Sequence, residues 1–456
     1  MESRVAIAHS HHSMLRRCLG PVAVTAQAVG TVGLTLTAVF NIPEAMRSAG
    51  SATWISYGLA LVVVLLVGET LVLFRQLPGS ANGIAGYVGA GLGPRLGAVA
   101  SWALLLGYGA TLVGCLVFFG MFLEQLGLHL GLPLPRLVAY LLGALGCLEL
   151  ARRDVQLSTR TMLVTESVSA LIILSLTAAV VWKGLGAPDL AAINPMRDSS
   201  AEVRSGLMVA LLSFIGFESA ANLGSEALQP ERAIPRSIRT AVLVAGGLFM
   251  VWGASLPEGL AWLPAVDRQG LDPLSALADR LGIPGAGLWI RFGALLCLFG
   301  SYIGCLTAMA RLLFGLAEEQ LLPAQLARVH PRFGTPSRAL LAAGLPLVAG
   351  GGLVVQRNLT INEIFGLFGG FTVLGFLLVY GLVALSSLRV VLPGNSRRRQ
   401  RLVGGGCLAA VAAMAAAYLT GVLGQQNTML VSFGGLMLLG ALRAWWVLPA
   451  SLQRHT

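Results

Sequence analysis

The sequence predicts an all-α integral membrane protein with about twelve membrane-spanning helices. Of its 456 residues, 56% are hydrophobic and only 11% are charged, whereas a soluble domain carries about 25% charged residues. The apolar residues form long blocks of the length, about 17–25 residues, that a helix needs to cross the hydrocarbon layer of a bilayer. This composition excludes a soluble multidomain protein.

The apolar blocks place the helices directly, because polar segments with turn-forming residues separate them. The sequence predicts a tail at 1–20, a core at 21–386 made of two five-helix sets (22–182 and 204–386), two further helices within 387–449, and a tail at 450–456. The twelve predicted spans are 22–42, 53–74, 95–123, 132–149, 161–182, 204–228, 237–256, 286–317, 338–356, 362–386, 404–424 and 428–449.

The basic balance of the chain indicates membrane topology and argues against a nucleic-acid partner. The net charge is +11, and the arginines lie between the apolar blocks. With the N-terminus inside, twenty-two arginines fall on the cytoplasmic side, against eight arginines and Lys183 on the other. Because cytoplasmic loops carry an excess of Lys and Arg, we expect a multi-pass protein of the cell (plasma or inner) membrane with both termini in the cytoplasm. Its surroundings are then the lipid bilayer.

The sequence contains no recognisable metal or cofactor site. Its six cysteines lie in or beside apolar segments and form no CxxC pair, so neither a zinc site nor a disulfide framework is expected. The loops show no catalytic constellation of His and Asp. We therefore expect no cofactor, no metal and no enzymatic activity.

Two predicted helices are interrupted in the middle. The first contains Gly30-Thr-Val-Gly33-Leu-Thr35, and the sixth contains Ser213-Phe-Ile-Gly216-Phe-Glu218. A single glycine in a membrane helix usually serves close packing, but these two helices open two successive five-helix sets. Broken helices at matching positions of two halves are typical of transporters with inverted repeats, which bind substrate at the breaks.

Three ordered motifs resemble one transporter family over residues 20–450. They are Glu218-Ser-Ala followed by Glu226 and Pro230-Glu-Arg-Ala-Ile-Pro235-Arg; Glu69 followed by Leu77-Pro-Gly-Ser-Ala and Trp102; and Ala308-Met-Ala-Arg311 followed by Val329-His-Pro-Arg-Phe-Gly-Thr-Pro336. Together they resemble the amino acid–polyamine–organocation superfamily, amino acid permease type. The resemblance implies a leucine-transporter-type fold of 5+5 inverted repeats with helices one and six broken, and secondary active transport of amino acids by alternating access.

The resemblance and the chemistry of an amino acid together predict the binding site. Helix N-termini bind carboxylates through their N–H groups, and freed carbonyls bind ammonium groups. The carboxylate is assigned to the first break and the ammonium to carbonyls of the second, where Phe214 and Ile215 would cap the substrate side chain. Many family members carry Gly-Ser-Gly-Ile-Phe at the first break, and this chain departs from that run. The predicted substrate-binding residues are Gly30, Thr31, Val32, Gly33, Leu34, Thr35, Ser213, Phe214, Ile215 and Gly216.

Two acids inside predicted membrane helices, Glu218 and Glu166, are the candidates for a proton-coupling or gating group. Intramembrane acids are costly and usually functional, and desolvation favours the neutral form of a carboxyl group. Some family members carry a lysine in helix five, where Ser169 stands here. We expect proton coupling or ion-independent exchange.

The sequence leaves several alternatives open. A polyamine or organic-cation transporter would favour an acid at the pocket, and Glu218 is the acid nearest to it. A non-transporting sensor could share the same fold. The identity of the amino acid or amine, the direction of transport, the coupling ion, and assembly as a monomer or a homodimer also stay undecided.

Overall fold

A computed structural model describes residues 15–77, 83–182, 200–283, 285–392, 394–422 and 427–447. The rest of the predicted tails, residues 1–14 and 450–456, lies outside the described residues. Helices dominate the described part, and its isolated β-bridge joins Leu19 to Ala227.

The described residues of the first half of the chain, up to the sixth predicted membrane helix, form nine α-helices. A π-helix, Thr37–Asn41, joins α2 to α3, and a 3-10 helix, Phe217–Leu223, follows α9. The bounds are α1 Pro21–Val32, α2 Leu34–Leu36, α3 Ile42–Ala49, α4 Thr53–Leu73, α5 Gly83–Leu92, α6 Pro94–His129, α7 Arg136–Arg153, α8 Val155–Trp182 and α9 Ser200–Phe214.

The second half contains nine more α-helices in its described residues. A π-helix, Phe365–Gly369, joins α15 to α16. The bounds are α10 Pro230–Ala261, α11 Ala265–Gln269, α12 Pro273–Arg280, α13 Ala286–Glu318, α14 Ser337–Gln356, α15 Ile361–Ile364, α16 Gly370–Arg389, α17 Arg397–Val422 and α18 Asn427–Val447.

Ten described stretches are long and apolar enough to cross a membrane. The first, Pro21–Gln76, has 56 residues and would be about 84 Å long as one helix, at 1.5 Å per residue. The hydrocarbon layer is only about 30 Å thick, so this stretch makes two crossings, which meet at Gly50, whose φ is 54°. The 18-residue helix α7, with Arg152 and Arg153 at its end, runs between α6 and α8. Counting the first stretch as two crossings and adding α7 raises the ten stretches to twelve spans, as the sequence predicted. The all-α membrane fold is confirmed.

Helix α13 lies at the centre of the bundle and packs against α1, α6, α8 and α14. Its most apolar window is 83% buried inside the protein, whereas the corresponding share for α18 is 11%. Helix α17 packs on α16 and α4, and α18 packs on α6. The last two helices therefore lie at the periphery, where their apolar faces can contact lipid.

Some helices extend past the boundaries predicted from the sequence. Helix α10 covers Pro230–Ala261 and contains Pro235 and Pro257, although the prediction was 237–256. Proline usually ends a soluble helix, but neighbouring helices in a membrane satisfy the backbone groups that it frees. The short helices α11 and α12, between α10 and α13, were not predicted.

Candidate functional site

The first membrane helix breaks at Gly33. Helix α1 ends at Val32, and Gly33 follows in the left-handed conformation with φ 66° and ψ 70°. A side chain there would be strained, and a Cβ would lie 2.3 Å from the Ser301 hydroxyl oxygen of α13. The helix restarts at Leu34, and in its first turn the Leu36 amide bonds to the Gly33 carbonyl at 3.1 Å while the Thr35 amide bonds to Glu166 Oε1 at 3.2 Å.

The sixth membrane helix breaks at Gly216 and contacts the first break. Helix α9 ends at Phe214, and Gly216 has φ 120° before the 3-10 helix begins. A Cβ on Gly216 would lie 2.7 Å from the carbonyl carbon of Thr31 and 2.8 Å from the amide nitrogen of Val32. Only glycine permits this approach, so the two breaks touch backbone to backbone.

A cavity of about 100 Å³ lies beside this contact. Its wall combines both broken helices with α6, α13 and the segment from α15 to α16, and none of its lining side chains carries a charge. The lining residues are Thr31, Val32, Leu36, Phe40, Asn41, Ala110, Thr111, Gly114, Cys115, Phe118, Leu212, Ile215, Leu298, Ser301, Ile364, Phe365, Phe368, Gly369 and Thr372.

A larger vestibule of about 800 Å³ lies one helical turn further from the breaks. Its wall includes Pro43, Met121 and Ile361. Each of these lies three residues, about one helical turn, from a residue that lines the cavity: Phe40, Phe118 and Ile364 respectively. It also includes the basic residues Arg47 and Arg268. The cavity is therefore nearer to this side of the bundle than to the side that carries the N-terminus.

A family model described as amino acid permease matches residues 19–443. The chain belongs to the amino acid permease family. This assignment confirms the resemblance seen in the sequence motifs.

Three relatives show the range of proteins that this permease is similar to. An uncharacterized transporter of Mycobacterium tuberculosis is 29% identical over 404 residues, covering 86% of this chain and 84% of the relative. A low-affinity putrescine importer of Escherichia coli is 25% identical over 350 residues, covering 74% and 75%. A branched-chain amino acid permease of Bacillus subtilis is 24% identical over 345 residues, covering 72% and 73%. All three are named as transporters, importers or permeases, and the two whose names give a substrate differ in it.

The predicted binding residues of the permease occupy different places around the cavity. Thr31, Val32 and Ile215 line it. The Ser213 hydroxyl bonds to the Val209 carbonyl at 2.8 Å, to the Asn41 amide at 2.9 Å and to the Tyr57 hydroxyl at 2.9 Å.

Phe214, which we expected to cap the substrate side chain, is buried and packs edge-on against Phe249 of α10, with ring centroids 4.9 Å apart. It is not among the lining residues of the cavity. Ile215 is the member of the predicted pair that lies there.

The predicted residues of the first break bond to neighbouring helices. The Gly30 carbonyl accepts a bond from the Ser301 hydroxyl at 3.0 Å. The Thr35 hydroxyl lies 2.5 Å from the Ser169 hydroxyl on α8, and Leu34 is buried.

Glu218 holds the second break in place. Its Oε1 accepts a hydrogen bond from the Tyr108 hydroxyl at 2.8 Å. Its Oε2 accepts one from the Gly216 amide and one from the Tyr380 hydroxyl, each at 2.9 Å. Three donors therefore surround this fully buried carboxyl group, and such donors stabilise a carboxylate.

Glu166 is far less well satisfied. Its Oε1 accepts a bond from the Thr35 amide of the restarted first helix at 3.2 Å, and the Leu34 amide also lies beside the carboxyl group. Its Oε2 is buried without a hydrogen-bond partner, and the side chain neighbours the thiol of Cys297. A buried carboxylate with an unsatisfied oxygen is costly, so Glu166 is less fully stabilised by its described neighbours than Glu218.

Gln27 is a structural contact that the sequence did not predict. Its buried amide donates to the Gly304 carbonyl of α13 at 2.9 Å and to the Thr31 hydroxyl at 3.1 Å. The available signal was a single amide inside an apolar block. The contact ties the first broken helix to the central helix of the bundle.

A buried ion pair lies on the side of the bundle that carries the N-terminus. Arg311 of α13 binds Glu226 through two hydrogen bonds, Nε to Oε2 at 2.5 Å and Nη2 to Oε1 at 2.9 Å. The Glu226 backbone carbonyl also accepts bonds from the amides of Cys18 and Leu19. The chain before α1 is thus attached to the segment that follows the second break.

Proposed function

We propose that this permease carries amino acids across the cell membrane by alternating access and binds them where its two broken helices meet. The observation that supports this most is the backbone contact of Gly216 with Thr31 and Val32 beside a largely apolar cavity. A glycine-dependent contact between two helix breaks leaves backbone polar groups next to this cavity. Broken helices of other transporters use such groups to bind substrate.

The carboxylate and ammonium of an amino acid suit the two breaks. A substrate carboxylate is favoured near the positive dipole end of the helix that restarts at Leu34, where the Thr35 amide is itself bonded to Glu166. Helix α9 ends at Phe214, so its carbonyls present the negative end of a dipole to an ammonium group. Ile215 and Leu212 then lie beside the substrate side chain.

The two sides of the cavity differ, as alternating access requires. The Arg311–Glu226 pair closes the N-terminal side, where the two side chains are 5% and 1% exposed. The vestibule lies on the opposite side. With both termini in the cytoplasm, as the arginine distribution indicates, the bundle is closed toward the cytoplasm and the cavity is nearer to the outside.

Glu166 is the proposed proton carrier, and Glu218 has a structural role. Glu166 touches the first break through the Thr35 amide and has a second oxygen without a partner. Its protonation state therefore acts directly on the backbone beside the substrate. Glu218, with three donors, needs no proton to be satisfied.

A polyamine is the alternative substrate, since one relative is named as a putrescine importer. A dication would require carboxylates in the cavity, and the cavity lining contains none. The absence of lining acids therefore favours an amino acid, whose charges cancel.

Solute counterflow in proteoliposomes tests the proposal. Vesicles loaded with an unlabelled mixture of neutral amino acids should take up external labelled alanine, and putrescine should not exchange. Gly216→Ala should abolish exchange, because its Cβ would overlap the Thr31 backbone. Gly247→Ala is the matched control, since a Cβ there meets nothing within 4 Å. Exchange of putrescine alone, or full activity of Gly216→Ala, would refute the proposal.

A further inference from the structure

We infer that the cavity selects amino acids with small, uncharged, apolar side chains, and that Gly114 of α6 sets the upper size limit. This inference rests on the proposed function, because it names the substrate class of the same site. It follows from three properties of the site: the uncharged lining of the cavity, the volume of the cavity, and the open space beside Gly114.

The polar groups of the cavity wall already have partners within the protein. The hydroxyls of Thr111 and Thr372 lie 3.0 Å apart, and each also bonds to a backbone carbonyl. Ser301 bonds to the Gly30 carbonyl, and Asn41 bonds to Ser213. The rest of the wall is built mostly from phenylalanine, aliphatic and small residues. A charged side chain would therefore enter the cavity without a counter-charge, which is strongly unfavourable.

The volume of the cavity limits the substrate to about the size of alanine. The cavity measures about 100 Å³, and an apolar cavity of about 150 Å³ holds one benzene molecule. Benzene contains six non-hydrogen atoms, as alanine does, so alanine already fills a space that is about two-thirds of that volume. Valine and leucine would require the wall to move.

Gly114 is the position at which the wall leaves room. It lies one turn after Ala110 and one turn before Phe118 on α6, and all three line the cavity. A Cβ on Gly114 would meet only the Cβ of Phe368, at 3.7 Å, which is an ordinary contact. An alanine side chain therefore fits without moving the helix and removes space from the cavity.

Gly109 on the same helix offers a matched control. A Cβ there would meet Leu347 at 3.7 Å and Met309 at 3.8 Å, so the fit is equally good. Gly109 does not line the cavity and instead lines a separate pocket with Leu347 and Met309. The two variants thus add the same methyl group to the same helix on different faces.

The test is inhibition of labelled glycine counterflow by unlabelled amino acids in proteoliposomes. In the wild type, alanine should inhibit strongly, leucine weakly, and lysine, glutamate and putrescine not at all. One methyl group in an apolar pocket changes discrimination about 10- to 200-fold. Gly114→Ala should therefore exchange glycine but require at least about tenfold more alanine for inhibition, while Gly109→Ala behaves as the wild type.

The outcomes separate this inference from the proposed function. If the wild type exchanges no amino acid, both fail. If it exchanges amino acids but Gly114→Ala keeps the wild-type ratio of alanine to glycine inhibition, or if leucine or lysine inhibits as well as alanine, the size and charge selection alone is refuted. Glycine exchange by Gly114→Ala shows that this variant is folded. If Gly114→Ala exchanges nothing while Gly109→Ala is active, Gly114 does not set a size limit and the inference is refuted.

Discussion

Replacing Glu226 with glutamine should open the N-terminal side of the permease. The carboxylate is 1% exposed and makes both hydrogen bonds of the pair with Arg311. Removing one partner of a buried ion pair costs about 3–5 kcal/mol. Glutamine keeps one acceptor oxygen, so we expect about 3 kcal/mol. At 1.4 kcal/mol for each factor of ten, the equilibrium between closed and open states should shift about 100-fold.

The native thiol of Cys115 reports this shift, because it lies in the cavity wall. In a variant that keeps Cys115 as its sole cysteine, an impermeant maleimide applied from the N-terminal side should label Glu226→Gln about 100-fold faster than the parent, from the same shift in equilibrium. Glu69→Gln is the control, because Glu69 pairs with Arg239 and Arg399 at the surface, with its side chain 32% exposed. Such pairs contribute about 0–1 kcal/mol.

A compensated variant protects this test against simple unfolding. Glu226→Leu combined with Arg311→Met replaces the pair with apolar groups, which is often neutral or stabilising in a buried site. We expect this double variant to remain folded and to label slowly from the N-terminal side. Equal labelling rates for Glu226→Gln and Glu69→Gln would refute the role of the pair in closing that side.

Three further predictions concern the supports of the site and the topology. Gln27→Leu removes two buried hydrogen bonds, to the Gly304 carbonyl and to the Thr31 hydroxyl, and should lower the free energy of unfolding by about 1–3 kcal/mol, measured by denaturant titration in detergent; an unchanged midpoint would contradict the contact. Tyr380→Phe removes one donor to Glu218 and should slow exchange without changing its pH dependence, whereas a shifted pH profile would assign proton coupling to Glu218 instead. Cysteines at Gln356 and Arg398, both exposed, should be labelled from outside and inside the cell respectively, and the reverse pattern would invert the proposed topology.

The helix count and both breaks could be predicted because hydrocarbon length and glycine leave direct signals in the sequence. Apolar blocks mark the spans, and Gly33 and Gly216 interrupt two of them. The left-handed φ of Gly33 and the φ of 120° at Gly216 show why those positions need glycine. The end of α6 at His129 and the proline-containing ends of α10 were missed, because membrane neighbours override local helix-stop signals.

The orientation of individual side chains could not be predicted. A helix that is apolar on all sides has no periodicity to show which face meets the cavity. The sequence therefore treated Phe214 and Ile215 alike, although Ile215 lines the cavity and Phe214 packs on Phe249. Likewise, the sequence shows that Glu218 and Glu166 are acids within apolar segments, but it does not show their partners on distant segments. The two hydroxyl donors to Glu218 come from α6 and α16, and the contact of Glu166 comes from the first break.

The most direct test of the central claim is the accumulation of alanine in proteoliposomes when a pH gradient is the only driving force. We predict that the wild type concentrates alanine without sodium, and that Glu166→Gln retains counterflow exchange but loses accumulation, because it mimics the protonated carboxyl group permanently. Ser169→Ala is the control on the same helix, since it also contacts the first break through Thr35 but carries no titratable group. Accumulation by Glu166→Gln equal to the wild type, or accumulation that occurs only with sodium, would contradict the account.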